Sequence, residues 1–153
     1  MTDLRFGSIE EIVAFAIRRE IDAAEGYAAI ASRAETPGLR ELADDLRRQE
    51  EEHRRILEGL TPDALRDIGA SFTPDLHIVD ALAEEKLEPD MSLQELLIAA
   101  AKKEAQAAAL YESLARLAGG SDHQGIFLFL AGQEREHKHR IEAEYESQVL
   151  KEN

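Results

Sequence analysis

The chain has 153 residues, 44% of them hydrophobic and 33% charged, with only 9 glycines and 4 prolines; this is one domain's length, enough to bury about two-thirds of the unfolded chain's surface, and neither disordered nor fibrous in composition. It contains no cysteine, which removes disulfides, thiolate zinc sites, iron–sulfur clusters, thiol nucleophiles and any rubredoxin-type iron centre. Asp and Glu outnumber Lys and Arg by 32 to 18, a formal charge of −14, so nucleic acid and anionic membranes would repel it.

Four long segments carry helix signals. Ser8-Ile9-Glu10-Glu11 is a capping box, opening a first helix that runs to about Ala34,. Thr36-Pro37, a cap followed by proline at the first helical position, opens a second that ends near Gly59,. Three of the four prolines fall between Leu60 and Met91, where Thr61-Pro62 and Thr73-Pro74 each read as the start of a short helix. Ser92-Leu93-Gln94-Glu95 is another capping box; its helix stops at Gly119-Gly120, and Ser121-Asp122 caps a fourth that reaches roughly to Ser147,. No stretch alternates with the period of two that a half-buried strand needs. The fold class is therefore all-α: a single domain over 1–153, with a helical hairpin at 8–59, a long crossover at 60–91 and a second hairpin at 92–147. A connection of that length can travel the whole bundle, which makes the second and third helices parallel. No apolar run is long enough to span a bilayer, and Met1–Arg5 lacks the apolar stretch of a signal peptide,. A soluble, cytoplasmic protein is expected.

The hairpins repeat one another. An offset of 84 residues (104 − 20) places Glu20 on Glu104, Tyr27 on Tyr111, Glu50 on Glu134 and His53 on His137,. Each helix carries an apolar stripe at three-to-four spacing with acid at its middle. The first runs Ile9, Val13, Ala16, Glu20, Ala23, Tyr27, Ile30; the second Leu39, Leu42, Leu46, Glu50, His53, Ile56. Leu96, Ala100, Glu104, Ala107, Tyr111 and Leu114 form the third, and Phe127, Leu130, Glu134, His137, Ile141 and Tyr145 the fourth.

Four uncompensated buried carboxylates would cost several kcal/mol apiece or would have to take up protons. The nearby basic residues Arg18, Arg19, Arg47, Lys102 and Lys103 fall mostly off the stripes. Two divalent metals resolve the conflict, since four carboxylates and two neutral imidazoles around two M²⁺ sum to zero. Glu and His three apart share one helix face, so Glu50 and Glu134 can bridge the metals while His53 and His137 each bind one. Tyr27 and Tyr111, two turns from Glu20 and Glu104, are candidates to orient those carboxylates from behind. His77, His123 and His139 do not recur in the repeat and read as ordinary, mostly exposed residues.

Glu20-x6-Tyr27, Glu50-x-x-His53, Glu104-x6-Tyr111 and Glu134-x-x-His137 together resemble the rubrerythrin branch of the ferritin-like di-iron carboxylate superfamily, over essentially the whole chain,. The resemblance implies a ferritin-like four-helix bundle binding two irons, with Glu20 and Glu104 as terminal ligands, Glu50 and Glu134 bridging, and His53 and His137 capping. It departs from rubrerythrins proper in two ways. The four-cysteine domain that feeds them electrons has no counterpart, and the extra glutamate one turn along the third helix is Ala107, mirrored by Ala23.

Two functions follow. One is an oxidoreductase in which an Fe(II) pair reduces peroxide or dioxygen and is re-reduced by an external electron donor. The other is non-enzymatic iron binding, storage or delivery with ferroxidase-like oxidation. The buried acids argue against a third, a metal-free interaction bundle. Carboxylate-rich ligation without sulfur suits iron or manganese, and zinc can occupy such a site. Ile126-Phe127-Leu128-Phe129-Leu130 is apolar all round the helix, more than one core face absorbs,, so a homodimer or larger homo-oligomer is expected.

Overall fold

Four capping signals, at Ser8, Thr36, Thr61 and Ser92, do what their chemistry requires in the computed structural model, which describes residues 8–69 and 90–152, with side chains as far as 148. The Ser8 hydroxyl accepts the Glu11 N–H at 3.3 Å and opens α1 (Ile9–Arg33). Thr36 accepts from Leu39 at 3.3 Å at the head of α2 (Pro37–Glu58), with proline in its first turn. Thr61 accepts from Ala64 at 3.1 Å and starts the short α3 (Pro62–Gly69). Ser92 accepts from Glu95 at 3.1 Å and starts α4 (Leu93–Leu117). Each bond satisfies an N–H that has no partner inside its own helix.

The last helix departs from expectation at both ends. α5 (Gln124–Glu152) begins later than Ser121-Asp122 implies, because the Ser121 hydroxyl turns back and donates to the Ala118 carbonyl at 2.6 Å. The Gln124 side chain likewise reaches back, donating to the Ala115 carbonyl at 3.2 Å. Gly120, at φ +83°, takes the left-handed conformation that reverses the chain here,. At its far end α5 runs past Ser147, since no glycine or proline follows to stop it. The Thr73-Pro74 signal, most of the expected crossover and His77 lie outside the described residues.

Side-chain pairings fix the topology. Tyr27 meets Glu104 while Tyr111 meets Glu20, so α1 and α4 run antiparallel. His53 meets Glu134 while His137 meets Gln49, so α2 and α5 do too. With each hairpin antiparallel, α2 and α4 must be parallel, as the long connection allows.

The core is split into two apolar ends with the acids between them. One end gathers Ile12, Phe15, Leu57, Leu110, Leu114, Phe127 and Leu130, closed by Ile68 of α3. The other gathers Ile30, Leu39, Leu46, Leu96, Leu97 and Ile141. Of the apolar pentad on α5, Phe127 and Leu130 are fully buried, whereas Leu128 and Phe129 stay 51% and 53% exposed. No described helix is long and apolar enough to cross a membrane.

Candidate metal centre

The stripes deliver all six expected ligands to one place. Glu20, Glu50, His53, Glu104, Glu134 and His137 are each no more than 2% exposed. They fall into two overlapping groups whose ligand atoms lie within 4.8 Å of one another: Glu20, Glu50, His53 and Glu134, then Glu50, Glu104, Glu134 and His137. Glu50 and Glu134 belong to both groups. Each remaining glutamate and histidine belongs to one. Two ions held by these groups would have Glu50 and Glu134 in common,.

The twofold relation extends to distances. His53 Nδ1 lies 2.7 Å from Glu134, 3.6 Å from Glu50 and 3.7 Å from Glu20. His137 Nδ1 lies 2.8 Å from Glu50, 3.8 Å from Glu134 and 3.6 Å from Glu104. The two imidazoles stack with centroids 5.5 Å apart and planes 8° from parallel.

Behind the ligands, each tyrosine serves the opposite hairpin. Tyr27 O–H donates to Glu104 Oε1 and Tyr111 O–H to Glu20 Oε1. Burial first, and then the facing carboxylate charges, hold both phenols well above their ordinary value of 10.0, so both remain donors. The repeat singled out these tyrosines but not their partners, because two-turn spacing along one helix says nothing about which neighbouring helix a side chain reaches. A further contributor went unsuspected. His137 Nε2 donates to Gln49 Oε1 at 2.7 Å, which turns Nδ1 toward the acids,. Its only sequence signal is a glutamine just before Glu-x-x-His in both copies, Gln49 and Gln133.

Protonation follows from this packing. Burial, reinforced by the Glu104 and Glu20 charges, pushes the Glu50 carboxyl well above its ordinary value of 4.5, and burial with the Glu104, Glu50 and Glu20 charges does the same to Glu134. For Glu104 burial also acts upward, but hydrogen bonds from Glu134, His137 and Tyr27, with the His137 charge, outweigh it and hold the group below 4.5. Arg19, off the apolar stripe of α1, is nevertheless buried; it donates to Gln106 at 2.9 Å and lies over the Phe15 ring.

The donors fit a metal pair. Glu20 Oε2, Glu50 Oε1, Glu104 Oε2, Glu134 Oε2 and His137 Nδ1 are all buried with no hydrogen-bond partner among the described residues. An orphaned buried acceptor costs about 1–3 kcal/mol, and five of them converge on the same small volume. Oxygen and imidazole donors without sulfur suit iron or manganese and accept zinc. Ala23 and Ala107 bring no seventh carboxylate: Ala107 packs against the apolar core, and Ala23 lines a narrow void beside Tyr27 and Glu104. His123 is half-buried and His139 exposed; neither belongs to these groups.

The rubrerythrin family model matches residues 11–86, from α1 through α3 and on beyond the first hairpin. The chain is a rubrerythrin-like member of the ferritin-like superfamily. Among solved structures it is similar to a hypothetical protein from Pyrococcus furiosus, at 28% identity and a TM-score of 0.71, over 92% of this chain and 89% of that one. No curated protein matches it. The second hairpin of this rubrerythrin-like chain lies beyond the family match, and it is tied to the first by the internal repeat and by the twofold distances within the centre.

Proposed function

We propose that this protein is a di-iron carboxylate oxidoreductase that reduces peroxide or dioxygen and takes its electrons from an external donor. The observation that carries this reading is the set of five orphaned donor atoms, converging from two related hairpins into two groups that share Glu50 and Glu134. A bound iron pair would supply one electron from each Fe(II) to the two-electron cleavage of an O–O bond. The chain's own part is positional. Glu50 and Glu134 hold the two sites together, while Tyr27, Tyr111 and Gln49 fix carboxylate and imidazole orientation. Leu46, Leu57, Leu114 and Leu130 are buried in the apolar ends that flank the acids and keep water from the centre,. Without metal, burial and the neighbouring carboxylate charges raise both carboxyls, so Glu50 and Glu134 take up protons more readily than exposed glutamates.

The test is stopped-flow mixing of anaerobically Fe(II)-loaded protein with peroxide, followed by ferric absorption. About one peroxide consumed per two irons is expected. Oxidation no faster than that of free Fe²⁺ in the same buffer would leave iron binding, storage or delivery as the function, a reading favoured by the −14 charge that draws cations in,. We also propose a homodimer or larger assembly through the outward face of α5 bearing Leu128 and Phe129,. A monomer by light scattering at micromolar concentration contradicts it.

A further inference from the structure

The two hairpins hold equivalent ligands behind unequal walls. Between α1 and α2 a cleft of about 220 Å³ leads to Glu20, lined also by Glu25, Ala28, Arg47, Glu51 and Arg54. By comparison, the void between α1 and α4 beside Glu104 measures about 10 Å³, at the margin of what one water needs. Shifted by 84 residues, the cleft's positions carry different side chains in the second hairpin. Arg47 becomes Ala131, fully buried; Ala24 becomes Ala108, 4% exposed; Glu25 becomes Ala109. Where Ala28 faces Glu51 in the first hairpin, Glu112 and Arg135 form an ion pair that spans α4 and α5. Among the described residues, one side of the twofold centre has a cleft and the other an ion pair across its two helices.

We infer that the α1–α2 cleft is the port through which a hydrated divalent cation reaches the centre, with Glu25 at its outer end and Glu20 at its inner end. Three features select a cation. The cleft ends on Glu20, whose Oε2 is buried and unpartnered. Each arginine on its walls has a carboxylate beside it, Arg47 with Glu51 at 3.0 Å and Arg54 with Glu58 at 2.8 Å, so their positive charge is offset locally. The acidic protein raises the local concentration of cations at such an opening. The volume holds several waters, so an ion need not shed its whole hydration shell before the first carboxylate meets it.

The inference rests on the metal-site reading, and one experiment separates the two. Stopped-flow uptake of Co²⁺ by the apoprotein is followed by visible absorption, with an equilibrium titration alongside and a thermal melt to confirm folding. Ala28 is exposed, so Ala28→Trp can cover the cleft without disturbing the core. It is expected to slow uptake roughly tenfold while two ions still bind at equilibrium, because the route then needs a side-chain rearrangement. Glu25→Gln should slow uptake about threefold and flatten its salt dependence. Glu112→Gln, which breaks the ion pair on the other side, should not slow uptake. Parent-rate uptake by both Ala28→Trp and Glu25→Gln, or equal slowing by Glu112→Gln, overturns the port. So does unchanged Co²⁺ uptake with slowed peroxide oxidation in Ala28→Trp, which would assign the cleft to the oxidant. Failure of the parent to bind Co²⁺ overturns the metal site and the port together.

Discussion

The first hairpin and the second agree at the ligands and disagree around them. Equivalent histidine–glutamate separations differ by at most 0.2 Å, as in 3.6 Å for His53–Glu50 against 3.8 Å for His137–Glu134. Yet Arg47 answers Ala131 and Glu51 answers Arg135, and the first hairpin has a cleft of about 220 Å³ against its glutamate. On the proposed reading, the ligand positions would answer to the coordination demands of two metal ions, which tolerate little displacement. Helix surfaces between them answer only to packing, so they are free to diverge.

The sharpest way to break the equivalence is to remove a shared carboxylate. Glu50→Ala or Glu134→Ala takes a donor from both groups and should weaken metal binding by about 100-fold or more, beyond what loss of an outer partner costs. Glu20→Ala and Glu104→Ala each touch one group and should each lose one ion while keeping the other. Inductively coupled plasma analysis after loading reads all four. Two tightly bound ions in the Glu50→Ala/Glu134→Ala double variant would sink the site.

Proton linkage comes next. Glu50 and Glu134 have carboxyls raised above their ordinary 4.5 in the folded apoprotein. Their contribution to stability is therefore fully present below that value and lost as pH rises through their folded-state values. Apoprotein melting temperature should fall on this account as pH rises above 4.5, and saturating metal should abolish the fall by replacing the protons. Glu50→Gln/Glu134→Gln should flatten the apoprotein profile. An unflattened profile would mean that these groups are not where the charge is buried.

The tyrosines give a smaller effect and a direct comparison between hairpins. Tyr27→Phe and Tyr111→Phe each remove one donor from the opposite hairpin's glutamate and should weaken metal binding by roughly tenfold. Equal losses are expected. An effect in only one would show that the twofold relation stops at the ligands.

Much of this was legible before any coordinates, for a physical reason. Acid inside an apolar stripe conflicts with burial, and four such conflicts in twofold register point to Glu20, Glu50, Glu104 and Glu134 with His53 and His137. Caps at Ser8, Thr36 and Ser92 were equally readable, because capping is a local hydrogen bond. Contacts between helices were not. The crossed Tyr27–Glu104 and Tyr111–Glu20 bonds, the Gln49–His137 bond and the burial of Arg19 depend on how helices turn against one another. At Ser121 the local signal misled, since its hydroxyl accepts the His123 N–H but also donates back to the Ala118 carbonyl, and the helix starts only at Gln124.

The smallest expected effect probes the bundle's surface rather than its centre. Arg140 of α5 pairs with Asp45 of α2 at 2.7 Å, with both side chains about one-third exposed. A pair so placed contributes about 0–1 kcal/mol and less in high salt. Its pH dependence should nevertheless run opposite to that of the core. The hydrogen bond from Arg140 holds the Asp45 carboxyl below its ordinary 3.8, so the pair's contribution is present above that value and lost as pH falls through the folded-state one. Arg140→Ala should thus be slightly destabilising at neutral pH and indistinguishable from the parent at about pH 2, where Asp45 is protonated in both. Chemical denaturation at the two pH values reads the difference. A destabilisation that persists in acid would show that the Arg140 side chain stabilises α5 through its methylene stem and not through its charge.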